Sequence, residues 1–143
     1  MIKSILSLLL FFSVSIGFSQ EWNSNFNEVK QIALKENKKI VLVFQGSDWC
    51  APCIKLEKEI WSTDEFKSFS RENFVLIKAD FPRKKKNKLS KEQQEENKNL
   101  MEKYNKKGYF PFVVVLDKDA KVLGETGYIK ATPKEYIKLL TSF

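Results

Sequence analysis

An α/β fold, with a central mixed four-stranded sheet flanked by helices, is the class this sequence predicts. Two observations lead there. Runs of β-branched and aromatic residues at 40–44, 74–80 and 112–116 alternate with stretches whose apolar residues recur at helical spacing. The third run is followed by a short polar turn and a further strand, which makes at least one neighbouring pair antiparallel. The order along the chain reads αβαβαββα. With 143 residues, a hydrophobic share of 43% and a charged share of 30%, one globular domain is expected.

The elements follow from the N-terminus. Residues 1–19 read as a secretory signal peptide rather than part of the fold. Lys3 supplies the positive start, 5–16 is apolar apart from Ser7, Ser13 and Ser15, and Gly17-Phe18-Ser19 offers small residues for cleavage before Gln20. A membrane anchor is the alternative, but the run is short against the roughly 20 residues a span needs. No cysteine lies near the cleavage site, which excludes a lipoprotein anchor. The domain is therefore 20–143. Asn25 caps a first helix carrying Phe26, Val29, Ile32 and Ala33, and Asn37 ends it. Ile40-Val41-Leu42-Val43-Phe44 is a continuous apolar run, as expected for a central strand buried on both faces. After the loop Gln45-Gly46-Ser47-Asp48-Trp49, a helix starts at the cysteines with Ile54, Leu56, Ile60 and Trp61 as its apolar positions. Ser62-Thr63-Asp64 restarts it with Phe66 and Phe69.

The strand 74–80 leads into a polar region. Pro82 and the basic run from Arg83 form a loop, and Ser90 starts a charged helix that gains an apolar face near Leu100, Met101 and Tyr104. After the strand 112–116, Asp117-Lys118-Asp119-Ala120 turns the chain into a fourth strand, 122–128. Thr132 caps a last helix with Pro133 in its first turn, where proline is tolerated.

Composition closes several chemistries. The absence of histidine removes His-based zinc sites, Ser-His or Cys-His nucleophile pairs and imidazole acid–base work. Two cysteines cannot complete a structural zinc site, and the five glycines are too scattered for a phosphate loop. No cofactor or metal is expected. The net charge of +7 suits anionic partners.

What remains is the pair Cys50 and Cys53, two residues apart at a strand-to-helix junction. At a helix start, unpaired backbone N–H groups favour negative charge, so a lowered thiol pKa is expected for Cys50. The thiolate is the attacking species in disulfide exchange, and Cys53, one turn later on the same face, is placed to resolve the mixed disulfide. Pro52 needs no backbone donor there and stiffens the ring. As a structural staple the bond would be poor. Closing so short a loop restricts the unfolded chain by only about 2 kcal/mol.

Trp49-Cys50-Ala51-Pro52-Cys53 after an apolar strand resembles the active site of the thioredoxin-like family. The resemblance continues through Asp80, then Gly108-Tyr109-Phe110-Pro111 before the third strand, the hairpin and the last helix. Residues 45–50 and the continuation through Lys55 to Trp61 look closest to exported proteins related to the periplasmic domain of DsbD-type thiol:disulfide interchange proteins. The resemblance implies a thioredoxin-like fold, catalytic Cys50 and Cys53, and a cis Pro111 facing them. It also implies that Trp49, Pro52, Phe110 and Pro111 bind substrate, with the backbone at Pro111 pairing strand to strand. Two positions depart from the family pattern. Phe44 stands where a buried aspartate usually helps move the resolving thiol's proton, and Leu76 stands where its lysine partner is usual. The proton must leave Cys53 through water or another group, for which Glu57 and Lys78 are candidates.

The direction of exchange is a separate matter, because the fold serves reductants, isomerases and oxidants. Reference potentials run from about −270 to about −120 mV, roughly 7 kcal/mol for a two-electron couple. Ala-Pro between the cysteines resembles the Gly-Pro of reductants more than the Pro-His of strong oxidants. The expected protein is an exported, periplasmic, monomeric reductase or interchange enzyme. It would act on disulfide-containing proteins and take electrons from a membrane thiol reductase. A binding or chaperone module with an inert disulfide, and a disulfide-forming oxidant, are the alternatives. The loop Arg83-Lys84-Lys85-Lys86-Asn87-Lys88 reads first as a solvated surface and second as a docking site for an acidic partner or lipid headgroups. Nucleic acid is not expected, since no aromatic residue is interleaved in the run.

Overall fold

The computed structural model describes residues 22–143, so the leader reading of 1–19 lies outside the described residues. Five strands form one sheet in the order β1-β3-β2-β4-β5. The strands are β1 (Trp22–Asn23), β2 (Lys39–Gln45), β3 (Phe74–Asp80), β4 (Phe112–Leu116) and β5 (Val122–Thr126). β3 pairs in parallel with both β1 and β2, while β4 pairs antiparallel with β2 and β5. The sheet is mixed, as expected, but has one strand more than the sequence predicts. β1 is two residues long, too short to show any periodicity. It is held by pairing with Leu76 and Ile77 and by a hydrogen bond from Asn23 Nδ2 to the Leu76 carbonyl.

The helices are α1 (Phe26–Glu36), α2 (Ala51–Leu56), α3 (Asp64–Asn73), α4 (Lys91–Tyr104) and α5 (Pro133–Thr141). Asn25 caps α1, and Asn37 ends it in the left-handed conformation at φ 53°. Thr132 and Glu135 close a reciprocal capping box on α5. α2 continues through Glu57–Trp61 in the wider π geometry before Thr63 caps α3.

β2 runs through the middle, and its alternating side chains serve two cores. Ile40, Leu42 and Phe44 join Val29 and Ala33 of α1 and Leu100 and Tyr104 of α4. Val41 and Val43 join Leu56, Ile60 and Trp61, Phe66 of α3, and Tyr136 and Leu140 of α5. Helices thus cover both faces, and every residue of β2 after Lys39 is buried. Ile54 is a correction. It is 49% exposed because Cys53, Leu56 and Ile60, at three- and four-residue spacing, take the inward face. β5 also ends earlier than expected, at Thr126, where Gly127 passes close to the Pro111 carbonyl.

Candidate functional site

The cysteines sit where β2 delivers the chain to α2. β2 ends at Gln45, and the turn to the helix is closed by hydrogen bonds from Trp49 and Cys50 N–H to the Gly46 carbonyl. Cys50 is the cap residue of α2, and its sulfur accepts a hydrogen bond from Cys53 N–H at 3.3 Å. Cys50 and Cys53 are joined in a disulfide with Cα atoms 5.2 Å apart. Pro52 lies in the first turn of α2, on its exposed side. The Phe110–Pro111 peptide is cis, as the resemblance implies.

Trp49 and Phe110 meet edge to face, with ring centroids 5.5 Å apart, and Phe81 packs on Phe110 at the same separation. Trp49 Nε1 donates to the Phe81 carbonyl at 2.7 Å, and the Arg83 guanidinium lies 3.7 Å from the indole centroid. A β-carbon at Gly46 would overlap the indole, so glycine is what lets Trp49 fold back over the turn. Of the four residues expected to bind substrate, Trp49, Phe110 and Pro111 are thus brought together. Pro52 stands on the helix beside Cys53.

The turn itself is tied down by carboxylates. Asp80 at the end of β3 accepts from Ser47 N–H at 2.9 Å and from its hydroxyl at 2.6 Å. Asp48 accepts from Arg83 N–H at 2.9 Å, Lys84 N–H at 3.0 Å and Asn87 Nδ2 at 2.9 Å. The hydrogen bond from Arg83 N–H, then that from Asn87, hold its carboxyl down at about 2. Asp48 had no assigned role in the sequence, and nothing local could give it one, because its partners are more than thirty residues away.

On the other flank, Cys53 opens into a pocket of about 510 Å³ shared with Gln45, Ser47, Glu57 and Lys78. Lys78 donates to Glu57 Oε2 at 2.7 Å, and its ammonium lies 4.3 Å from the Trp22 ring. Both residues considered for proton transfer therefore line one pocket with Cys53. Phe44 does not; its side chain belongs to the core under α1 and α4 and packs on Phe112. The polar residue of β2 in the pocket is Gln45, the last residue of the strand rather than the first of the loop. Strand alternation from Val41 and Val43 could have placed it.

Comparison with known proteins agrees with this geometry. The family model of the thioredoxin-like domain matches residues 26–143. The disulfide bond reductase DsbH of Chlamydia pneumoniae is 33% identical over 122 residues, covering 85% of this chain and 71% of that protein. The solved structure of a DsbH oxidoreductase superposes with a TM-score of 0.80 at 31% identity, over 87% of this chain and 83% of that one. The oxidised C-terminal domain of Neisseria meningitidis DsbD shares the fold, with a TM-score of 0.55 at 20% identity over 82% and 90% of the two chains.

Proposed function

The chain belongs to the thioredoxin-like domain family and is an enzyme of thiol–disulfide exchange, and we propose that it works as a reductase through Cys50 and Cys53. The observation that carries this reading is the Cys50–Cys53 pair at the start of α2, with Cys50 beside Trp49 and Cys53 facing the Glu57–Lys78 pocket. The name of the Chlamydia relative, a disulfide bond reductase, supports the direction.

In the reduced enzyme the Cys50 thiolate attacks one sulfur of a substrate disulfide. That S–S bond breaks, the first substrate sulfur leaves as a thiolate and takes a proton, and a Cys50–substrate disulfide forms. Cys53 then loses its proton to Glu57 through solvent in the shared pocket, and its thiolate attacks the Cys50 sulfur. The second substrate thiolate leaves and is protonated. Two electrons have passed to the substrate, and the enzyme is left with the Cys50–Cys53 disulfide seen here. Trp49, Phe110 and Pro111 border the exchanging sulfurs, with an extended substrate segment lying along the Phe110–Pro111 backbone and Pro52 lining the helix side. A dithiol donor must return the electrons. We assign that role to a membrane thiol reductase, with residues 1–19 as the leader that exports the chain to the periplasm. Among the described residues no helix is long and apolar enough to cross a membrane.

The direct test is insulin reduction with dithiothreitol, wild type against Cys50→Ser. Catalysis is expected in the wild type alone, and equal rates would remove Cys50 from the mechanism. Equilibration with glutathione tests direction. A potential near the reductant end, about −270 mV, is expected, and one near about −120 mV would make the protein an oxidant.

A further inference from the structure

Arg83, Lys84, Lys85, Lys86 and Lys88 fall within six residues between β3 and α4, and exchange chemistry uses none of them. A free loop of this composition would spread into solvent under its own repulsion. This one is fixed. Asp48 takes the Arg83 and Lys84 backbone N–H groups and the Asn87 amide, so its negative charge is engaged by the loop's backbone rather than by its lysine side chains. Arg83 is stacked on Trp49, and Trp49 is hydrogen-bonded to the Phe81 carbonyl.

The fixed loop and α4 enclose a groove of about 680 Å³. Six cations line it: Arg83, Lys84, Lys85, Lys88, Lys91 and Lys98. Only Asp80 and Glu95 oppose them, and the Asp80 carboxylate already accepts from Ser47 and from the Phe81 N–H. Among the described residues the one ion pair these cations make is Lys98 with Glu102, at 4.0 Å. A cleft lined by one sign of charge concentrates ligands of the opposite sign. Its near edge is Arg83 on Trp49, next to Cys50, and the aromatic contact continues to Phe110 beside Pro111.

We propose that this groove binds acidic peptide segments flanking the disulfide of the substrate protein, so that such substrates are reduced fastest. The proposal rests on the reductase reading of Cys50 and Cys53 and adds a substrate class to it. Anionic lipid shares the charge but fits the placement less well. A membrane pressed on the groove would cover the Trp49 edge and close the approach to Cys50, whereas a peptide can lie in the groove with its disulfide at the sulfurs.

The test compares two disulfide-bonded peptides that differ only in three flanking residues, Asp in one and Ser in the other. Each is offered to the wild type and to the triple variant Lys84→Gln, Lys85→Gln, Lys88→Gln. Steering of this kind changes association by about tenfold or more at low ionic strength. The wild type should therefore reduce the acidic peptide about tenfold faster, and the advantage should shrink in about 0.5 M salt, where the Debye length falls to a few ångströms. The triple variant should lose the advantage while reducing the Ser peptide at the wild-type rate. Equal wild-type rates for the two peptides would overturn the proposal. If lysine-dependent sedimentation with phosphatidylserine vesicles accompanied them, the groove would belong to lipid. An advantage that survives in the triple variant would also overturn it. Reduction of neither peptide would instead remove the reductase reading on which it rests.

Discussion

The two flanks of the cysteine pair are built from opposite electrostatic designs. On the Cys53 side a carboxylate is paired with an ammonium, Glu57 with Lys78 at 2.7 Å, in a pocket that Gln45 and Lys58 also line. On the Trp49 side a carboxylate is hydrogen-bonded to backbone and amide groups, and cationic side chains are left facing a groove. A carboxylate that shares a pocket with Cys53 suits proton transfer, because it can take up the thiol proton there. An unbalanced rim suits recognition, because its field reaches beyond contact distance. On the proposed reading one strand-to-helix turn divides chemistry from selection, and each flank can be broken separately.

The largest effect should come from the part the flanks share. Cys50→Ser should abolish insulin reduction with both flanks intact. Cys53→Ala should stop at the first step and hold substrate proteins on Cys50, visible as bands on a non-reducing gel that dithiothreitol removes. Trapping through Cys53 in the Cys50→Ser protein would reverse the assigned roles.

Breaking the Cys53 flank alone should cost less. Positioned general bases contribute about 10² to 10⁴ in rate, and solvent in the pocket can replace part of that. Glu57→Gln should slow turnover at neutral pH by about tenfold, for acidic and neutral peptides alike, and should steepen the rate loss on going from alkaline to neutral pH, because thiol ionisation alone must then supply the Cys53 thiolate. Glu57→Asp should restore part of the rate. An unchanged pH–rate profile in Glu57→Gln would assign the proton to another group.

On the Trp49 flank, Gly46→Ala forces a β-carbon into the indole. Overpacking of this kind costs about 1–3 kcal/mol, which for a domain of this size lowers Tm by roughly 5 °C or more. The indole would swing off the turn, and its emission should shift to longer wavelength. An unchanged Tm and spectrum would mean that the turn relaxes without moving Trp49.

How much of this was legible in the sequence depends on the range of the interaction. β2 announced itself because five consecutive apolar residues bury on both faces, and α5 because Thr132 offers a cap with Pro133 in the first turn behind it. The cysteine pair and Pro111 were visible as a motif. β1 was not, since two residues have no period and the strand exists only through Leu76 and Ile77. Ile54 was misread because it sits beside an inward-facing set at Cys53, Leu56 and Ile60 without sharing its face. Asp48 was opaque for a third reason. Its role is written in residues 83, 84 and 87, and only the folded chain brings them to its carboxylate.

That carboxylate also gives the smallest predicted effect, which sharpens the contrast between the flanks. The folded chain holds the Asp48 carboxyl at about 2, below its ordinary 3.8, because Arg83 N–H and Asn87 bond its charged form. A depressed carboxyl contributes stability that is fully present above the unfolded value and is lost as pH falls through the folded one. The loop's anchor should therefore be constant from about pH 5 upward, where the charge is the same in both states, and weaken between about 4 and 2. Asp48→Asn should lower Tm slightly at pH 7, since the residue lies at the surface and solvent screens it. The gap to wild type should close as pH falls through about 2, below which both proteins carry a neutral group. Thermal melts of the two proteins across that range check it, and a gap independent of pH would mean that side-chain shape rather than charge holds the loop. In the same variant the acidic-peptide preference should fall while reduction of the neutral peptide stays near wild type, because the cations remain but their backbone is no longer fixed against Trp49.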